Sequence, residues 1–451
     1  MNTLQNAAVT NLSLWHHIQR TLQLAFPVIL SRLGIIAMVS MDVIVLGRAG
    51  SNELADYVLG QSAFDTLLVM LIGLLMGVPV LTSRAIGAGR EKDAGRVWYR
   101  GLFLAVLYGT LMFCVLQFAE HLYLASGQDP VQAARSADVT AVLAAAMPAV
   151  GIFSVCATLL ESVNRPLIGT VAVWTANISN LVLNIVFVFG WGPIPAMGAI
   201  GCALATVINF SLLSLGLIWF IRTRFDERER YGVLEGRPTL WFGAEEQRKA
   251  GYGAGASFGL ESAAFATLIL MAGLLGELAL ASFGILFQFL ALFFMGALGL
   301  AIATQIRVGN AWGRDDNHGM KYAGWVGLGL SVVFTGSTSL LLYIAPEFMV
   351  GIFTNDQEII LAAVPVLIWV AAAIVFDGGQ VVVNHACRGR GDAWVPTACH
   401  FMSYWLVMIP ISAFCAFALE LGVTGIYMGV AISAVFSVFV LSFRFAWLSN
   451  R

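Results

Sequence analysis

Long apolar runs, separated by short polar stretches, recur along the whole chain. They fall at approximately 22–47, 56–82, 98–119, 137–160, 167–190, 199–221, 254–275, 280–305, 322–345, 360–385, 394–416 and 422–443. A helix needs about 20 apolar residues to cross the hydrocarbon core of a bilayer. Each run meets that length, so the pattern predicts twelve transmembrane helices. Barrel strands would be about ten residues long with strict alternation, whereas these runs are longer and continuous.

The two halves of the pattern repeat each other. Thr82 and Gly87 match Thr304 and Gly309, Leu54-Ala55 matches Leu280-Ala281, and Gly198-x-x-Gly201 matches Gly422-x-x-Gly425, at offsets of 222, 226 and 224 residues. Each half holds six runs, so both repeats enter the membrane the same way round. The expected fold class is an all-α polytopic membrane protein, with twelve transmembrane helices in two pseudo-symmetric six-helix bundles. The expected division is an N-lobe over 1–221, a polar linker over 222–250 and a C-lobe over 251–451.

Basic residues fix the expected orientation. Twenty-one of the 24 Lys and Arg lie at the termini or in loops following even-numbered spans. Among them are Arg84, Arg90, Lys92, Arg96 and Arg100, seven in the 222–250 linker, and Arg388 and Arg390. The opposite side has Arg48 and Arg135, and Arg32 lies within the first span. Cytoplasmic loops carry the excess of Lys and Arg. Both termini and the linker are therefore expected in the cytoplasm of a multi-pass plasma-membrane protein, a bacterial inner membrane being the natural setting. The polar start, with no short apolar core, predicts no cleaved signal and a mature protein beginning near Met1.

Composition agrees. Of the 451 residues, 59% are hydrophobic and 11% charged, against roughly 25% charged in a soluble domain; the mean hydropathy is +0.84. A net charge of −2 offers no basic footprint for nucleic acid. The six cysteines lie in or beside apolar runs and form no C-x-x-C pair, so a zinc site or disulfide framework is not expected.

The chemistry then rests on polar residues at bilayer depth, where a carboxylate costs about 2.5–3.5 kcal/mol on insertion scales. Asp42 in the first span, Glu261 in the seventh and Asp377 in the tenth are the main candidates for binding a cation or proton. Asp65 in the second span is a weaker substrate-binding candidate; Asp138 and Glu161 lie at span ends and are read as wet. Arg32, ten residues before Asp42, is read as structural, snorkelling or pairing with a carboxylate. Asn177, Asn180 and Asn184 form one helical stripe in the fifth span. Their amides can ligate a cation or simply hydrogen-bond between helices.

The stretch from Pro27 through Asp42 to Gly47, then Leu54-Ala55 and PVLTSRAIGAGR, resembles the first helices of the multidrug and toxic compound extrusion (MATE) family, in its NorM-like bacterial branch. The resemblance continues through Asn180, Asn184 and Thr206, then GLESAAF around Glu261, IRVGNAWG, and HACRGRGDAWVP after Asp377. It implies a secondary antiporter, not an enzyme, that exports organic cations or other xenobiotics in exchange for H⁺ or Na⁺. Asp42, Asn180, Asn184 and Thr206 match an N-lobe cation site, with Asp42 also facing substrate. Glu261 and Asp377 match a C-lobe acidic pair that could also hold Na⁺. A tyrosine often accompanies that pair; here the aligned residue is Phe294. The resemblance also implies a proton-linked bend of the first span near Pro27. No cofactor beyond the coupling ion is expected, membrane lipid is the surrounding partner, and no oligomer is required.

Two other readings carry different chemistry. A flippase for lipids or lipid-linked oligosaccharides would need basic cavity residues for phosphate, and the spans offer Arg32 against several carboxylates. A membrane receptor or scaffold has no use for deep carboxylates in both halves. The strings GREKDAGR (89–96) and Gly389-Arg390-Gly391-Asp392 look like a major-facilitator loop and an intramembrane protease motif. The first has the wrong spacing, and the second follows basic residues outside any span and reads as a turn.

Overall fold

The computed structural model describes residues 14–235, 239–241 and 243–450. The N-terminal half runs α1 (Leu14–Ala49), α2 (Ser51–Leu74), α3 (Gly77–Gly87), α4 (Asp93–Leu116), α5 (Ala119–Ala125), α6 (Pro130–Ala144), α7 (Met147–Ser162), α8 (Pro166–Phe189) and α9 (Gly198–Thr223). The C-terminal half runs α10 (Glu245–Leu274), α11 (Glu277–Gly313), α12 (Asn317–Ile344), α13 (Pro346–Gly351), α14 (Gln357–Ala363), α15 (Leu367–Gly389), α16 (Trp394–Phe401), α17 (Ile409–Ala413) and α18 (Gly422–Ser449). Among the described residues, eleven helical stretches are long and apolar enough to cross a bilayer, and α6 with α7, bent by 42°, makes the twelfth. The bend falls just before Pro148, at the second position of α7. A proline there removes a hydrogen bond that a straight helix would need.

The internal repeat is written in the backbone. Gly50 and Gly276, each just before a long helix, both have positive φ, 148° and 105°. Gly198 and Gly422, at the starts of α9 and α18, have φ of 53° and 55°. Glycine reaches this region without steric cost. The second glycine of each G-x-x-G leaves no room for a side chain. A Cβ on Gly201 would lie 2.4 Å from the Phe187 carbonyl oxygen, and one on Gly425 2.5 Å from the Ala416 amide nitrogen. Small residues let membrane helices approach this closely.

The chain divides into two compact units whose boundaries differ from the expected lobes. One unit comprises Leu30–Gly255; the other joins the start of α1, through Ile29, to the chain from Ala256 onward. Both α1 and α10 thus contribute to two units. In the second unit Leu24, Ala25 and Val28 bury against Ala297, Leu300, Ala301 and Val382. The core of the first unit is built from α1 to α9, with Leu46, Tyr57, Trp98, Leu104 and Cys156 almost fully buried. The six cysteines are all free thiols.

The polar segment after α9 folds against the loop before α4. Arg230 forms a two-pronged pair with Glu91, Nε to Oε2 at 2.6 Å and Nη2 to Oε1 at 2.7 Å. That guanidinium holds the Glu91 carboxyl below its ordinary range.

Candidate functional site

In the Leu30–Gly255 unit, Asp42 is 2% exposed. Its Oδ1 accepts from the Asn184 side-chain amide at 2.6 Å. Its Oδ2 accepts from the Tyr57 hydroxyl at 3.1 Å and from the Thr206 hydroxyl at 3.4 Å. Asn184 also donates to Asn180 Oδ1 at 3.1 Å. Helices α1, α2, α8 and α9 each supply one member or more. Asn180 and Asn184 stand one turn apart, so both amides point the same way.

These donors are uncharged, and Asp42 forms no ion pair among the described residues. The Asn184 oxygen and the Asn180 amide nitrogen are buried with no hydrogen-bond partner among the described residues. A buried carboxylate so arranged keeps its negative charge unneutralised, and a proton or cation can neutralise it. Asn177, the third member of the stripe, is used elsewhere. It donates to the Gly34 and Val173 carbonyl oxygens, each at 2.9 Å, and ties α8 to α1.

In the other unit, Asp377 on α15 is 7% exposed. Its Oδ1 accepts from Gln380 Nε2 at 3.1 Å, and the same amide nitrogen reaches the Tyr404 hydroxyl at 3.1 Å. Glu261 on α10 is half-buried, within electrostatic reach of Asp377, Tyr404 and Arg388. Behind them runs a buried polar chain. Gln380 Oε1 meets His400 Nε2 at 3.0 Å and accepts from the Ser437 hydroxyl at 3.2 Å. His400 Nδ1 meets the Ser257 hydroxyl at 2.8 Å.

The backbone places Tyr404 by a local irregularity. Residues Met402–Met408 form a π-helical segment just before Pro410. Pro410 has no N–H for the carbonyl four residues back, so the helix widens there.

The structure corrects three sequence expectations. Glu161 is not wet: it is 4% exposed and pairs with Arg32, Nη2 to Oε1 at 3.2 Å. Arg388 is not in a loop: it closes the last turn of α15 and is 2% exposed. The aromatic hydroxyl beside the C-terminal pair is that of Tyr404, while Phe294 packs among apolar residues with Leu24 and Ala297. Asp65 lies on an exposed face of α2 and is absent from the hydrogen bonds around Asp42; Asp138 is exposed as well.

Sequence reasoning missed Tyr57, Gln380, Tyr404 and Arg388. Only α15 carried a readable signal: Asp377, Gln380, Asn384 and Arg388 fall on one helical stripe.

A MatE family model matches residues 27–186 and 254–414. A probable multidrug resistance protein NorM from Caulobacter vibrioides is 35% identical over 433 residues, covering 95% of this chain and 91% of that protein. The multidrug resistance protein NorM of Burkholderia vietnamiensis is 30% identical over 456 residues, covering 98% and 96%. The fold is similar to that of the eukaryotic MATE transporter AtDTX14, with a TM-score of 0.89 at 16% identity over 97% of this chain and 98% of that one. An outward-facing MATE transporter of the MOP superfamily gives a TM-score of 0.84 at 18% identity, over 96% and 97%. Two matched segments, one in each half, and relatives aligned almost end to end place the chain in the MATE family of membrane transporters.

Proposed function

We propose that this transporter is a multidrug efflux antiporter of the plasma membrane, exporting organic cations in exchange for H⁺ or Na⁺. The observation that carries this reading is Asp42: a buried carboxylate held by three neutral donors, with no ion-pair partner among the described residues. A protein that needed Asp42 only for packing would gain by pairing it or replacing it, since a buried unpaired charge is costly.

The chemistry follows from competition. Coupling ion and cationic drug both neutralise the same carboxylate, so they exclude each other. With two access states, mutual exclusion at one site gives exchange. The ion binds when the site opens outward and displaces drug; drug binds when it opens inward and displaces the ion. Asn180, Asn184 and Thr206 orient Asp42 and can complete an oxygen-rich shell. Glu261 and Asp377 form a second cation site in the other unit, with Tyr404 alongside. Their oxygen donors suit Na⁺ as well as a proton.

The positive-inside pattern supports cytoplasmic termini and a cytoplasmic 222–250 segment. The names of the NorM relatives support xenobiotic cargo. The decisive experiment measures efflux of a fluorescent organic cation from proteoliposomes under a pure proton gradient and under a pure Na⁺ gradient. Exchange driven by either, and lost in Asp42→Asn, is expected. Uptake or release insensitive to both gradients would overturn antiport, and movement of a labelled lipid instead would favour a flippase.

A further inference from the structure

Arg388 is a buried cation of the second unit that forms no ion pair among the described residues. It is 2% exposed, and none of its three guanidinium nitrogens has a hydrogen-bond partner among the described residues. Its guanidinium lies over the ring of Phe258, 4.9 Å from the centroid. Burying a guanidinium without hydrogen bonds is costly, and a ring face offsets only part of that cost. Nearby negative charge must supply the rest.

Helix α10 provides it, and α15 carries the second acid of the cluster. On α10, Phe258 precedes Glu261 by three residues, so the ring under Arg388 and the carboxylate share a face, about one turn apart. On α15, Arg388 ends the buried stripe that Asp377 begins, three turns or about 16 Å further along, and Asp377 joins the cluster through its charge interaction with Glu261. The titratable groups that interact with Arg388 are Glu261 from α10, Tyr404 and His400 from the helix beginning at Trp394, and Cys387 from its own helix, while His385 lies beside the Phe258 ring at 6.5 Å between centroids. The formal charges of Glu261, Asp377 and Arg388 together leave one net negative charge.

We infer that Arg388 is a built-in cation that sets the acidic site of this unit to one net negative charge, and thereby makes it selective for monovalent over divalent cationic cargo. The inference rests on reading Glu261 and Asp377 as a cation site. A single positive charge brings the cluster to neutrality. A dication would leave a positive charge uncompensated beside Arg388 in a medium of low dielectric constant, where such an imbalance is heavily penalised. Without Arg388, the two carboxylates would instead match a dication.

The test uses the purified full-length protein and two probes, tetraphenylphosphonium as monocation and methyl viologen as dication. Equilibrium affinities are measured for wild type, Arg388→Gln, Arg388→Lys, Asp377→Asn and the double variant Arg388→Gln/Asp377→Asn. Arg388→Gln shifts the affinity ratio about tenfold toward methyl viologen. Arg388→Lys keeps the wild-type ratio because it keeps the charge. The double variant removes one charge of each sign and returns the ratio to that of wild type, which loss of a merely structural arginine cannot do. An unchanged ratio in Arg388→Gln overturns the inference, and so does a double variant that compounds the defects. If Arg388→Gln does not fold, the lysine and double variants decide alone. Wild-type affinity for both probes in Glu261→Gln and in Asp377→Asn would remove the cation site itself, a failure distinct from that of Arg388.

Discussion

Arg32 Nη2 stands 3.2 Å from Glu161 Oε1, an ion pair closed across 129 residues of sequence. It ties α1 to α7 inside one unit, and the Arg32 Nε and Glu161 Oε2 atoms have no hydrogen-bond partner among the described residues. Removing one partner strands a buried charge. We expect Arg32→Gln or Glu161→Gln to destabilise the protein by about 3 kcal/mol, whereas the apolar pair Arg32→Met/Glu161→Leu stays near wild type. Thermal midpoints in detergent check this; single variants as stable as wild type would show the pair to be dispensable.

Asp42→Asn is expected to insert and fold, because the new side-chain oxygen can still accept from Asn184, but to lose coupled efflux with its charge. Tyr57→Phe removes one of three donors and should weaken export without abolishing it. Resistance assays in cells expressing each variant at the wild-type level give the answer. Full resistance with Asp42→Asn would sink the N-terminal site.

Glu261 and Asp377 should act as one unit. Two nearby carboxylates raise each other's affinity for a proton or cation, so removal of either disables both. A double-mutant cycle on ion-driven efflux with Glu261→Gln and Asp377→Asn is expected to be strongly non-additive. Two losses that multiply as independent factors would mean separate roles, leaving coupling to Asp42.

Topology can be read by labelling. The basic position Arg237 lies outside the described residues, but Glu229, in the same polar segment, is exposed. In a cysteine-free background, Glu229→Cys should resist an impermeant thiol reagent added to intact cells and react in inverted vesicles. Labelling of intact cells would reverse the assigned orientation.

The legible and illegible parts of the molecule differ for physical reasons. The spans were legible because the bilayer imposes a length and a composition on each helix. The repeat was legible because Gly198 and Gly422 must both adopt positive φ. Asn180 and Asn184 could be grouped because one turn of helix separates them, and only the resemblance joined them to Asp42. Tyr57 and Tyr404 were not legible, since a tyrosine in an apolar run looks the same whether its hydroxyl meets water, lipid headgroups or a buried acid. Glu161 and Arg388 were misplaced for a related reason. A charge near a span end is assigned to solvent unless its partner is known, and those partners come from other helices. Hydropathy also contains nothing about which bundle a helix joins, so the split of α1 and α10 between units could not be foreseen.

That split bears on biogenesis. The apolar face of Leu24, Ala25 and Val28 is made at the start of synthesis, but its packing partners Ala297, Leu300 and Val382 emerge hundreds of residues later. At about 5–20 residues per second, the wait is on the order of tens of seconds. Throughout it the beginning of α1 is already translated while the surface it needs does not exist. The Leu30–Gly255 unit, contiguous in sequence, can assemble as it leaves the ribosome. The other unit can close only after the last helices arrive, so a ribosome stalled in the second half would leave a finished first unit carrying an orphaned helical arm.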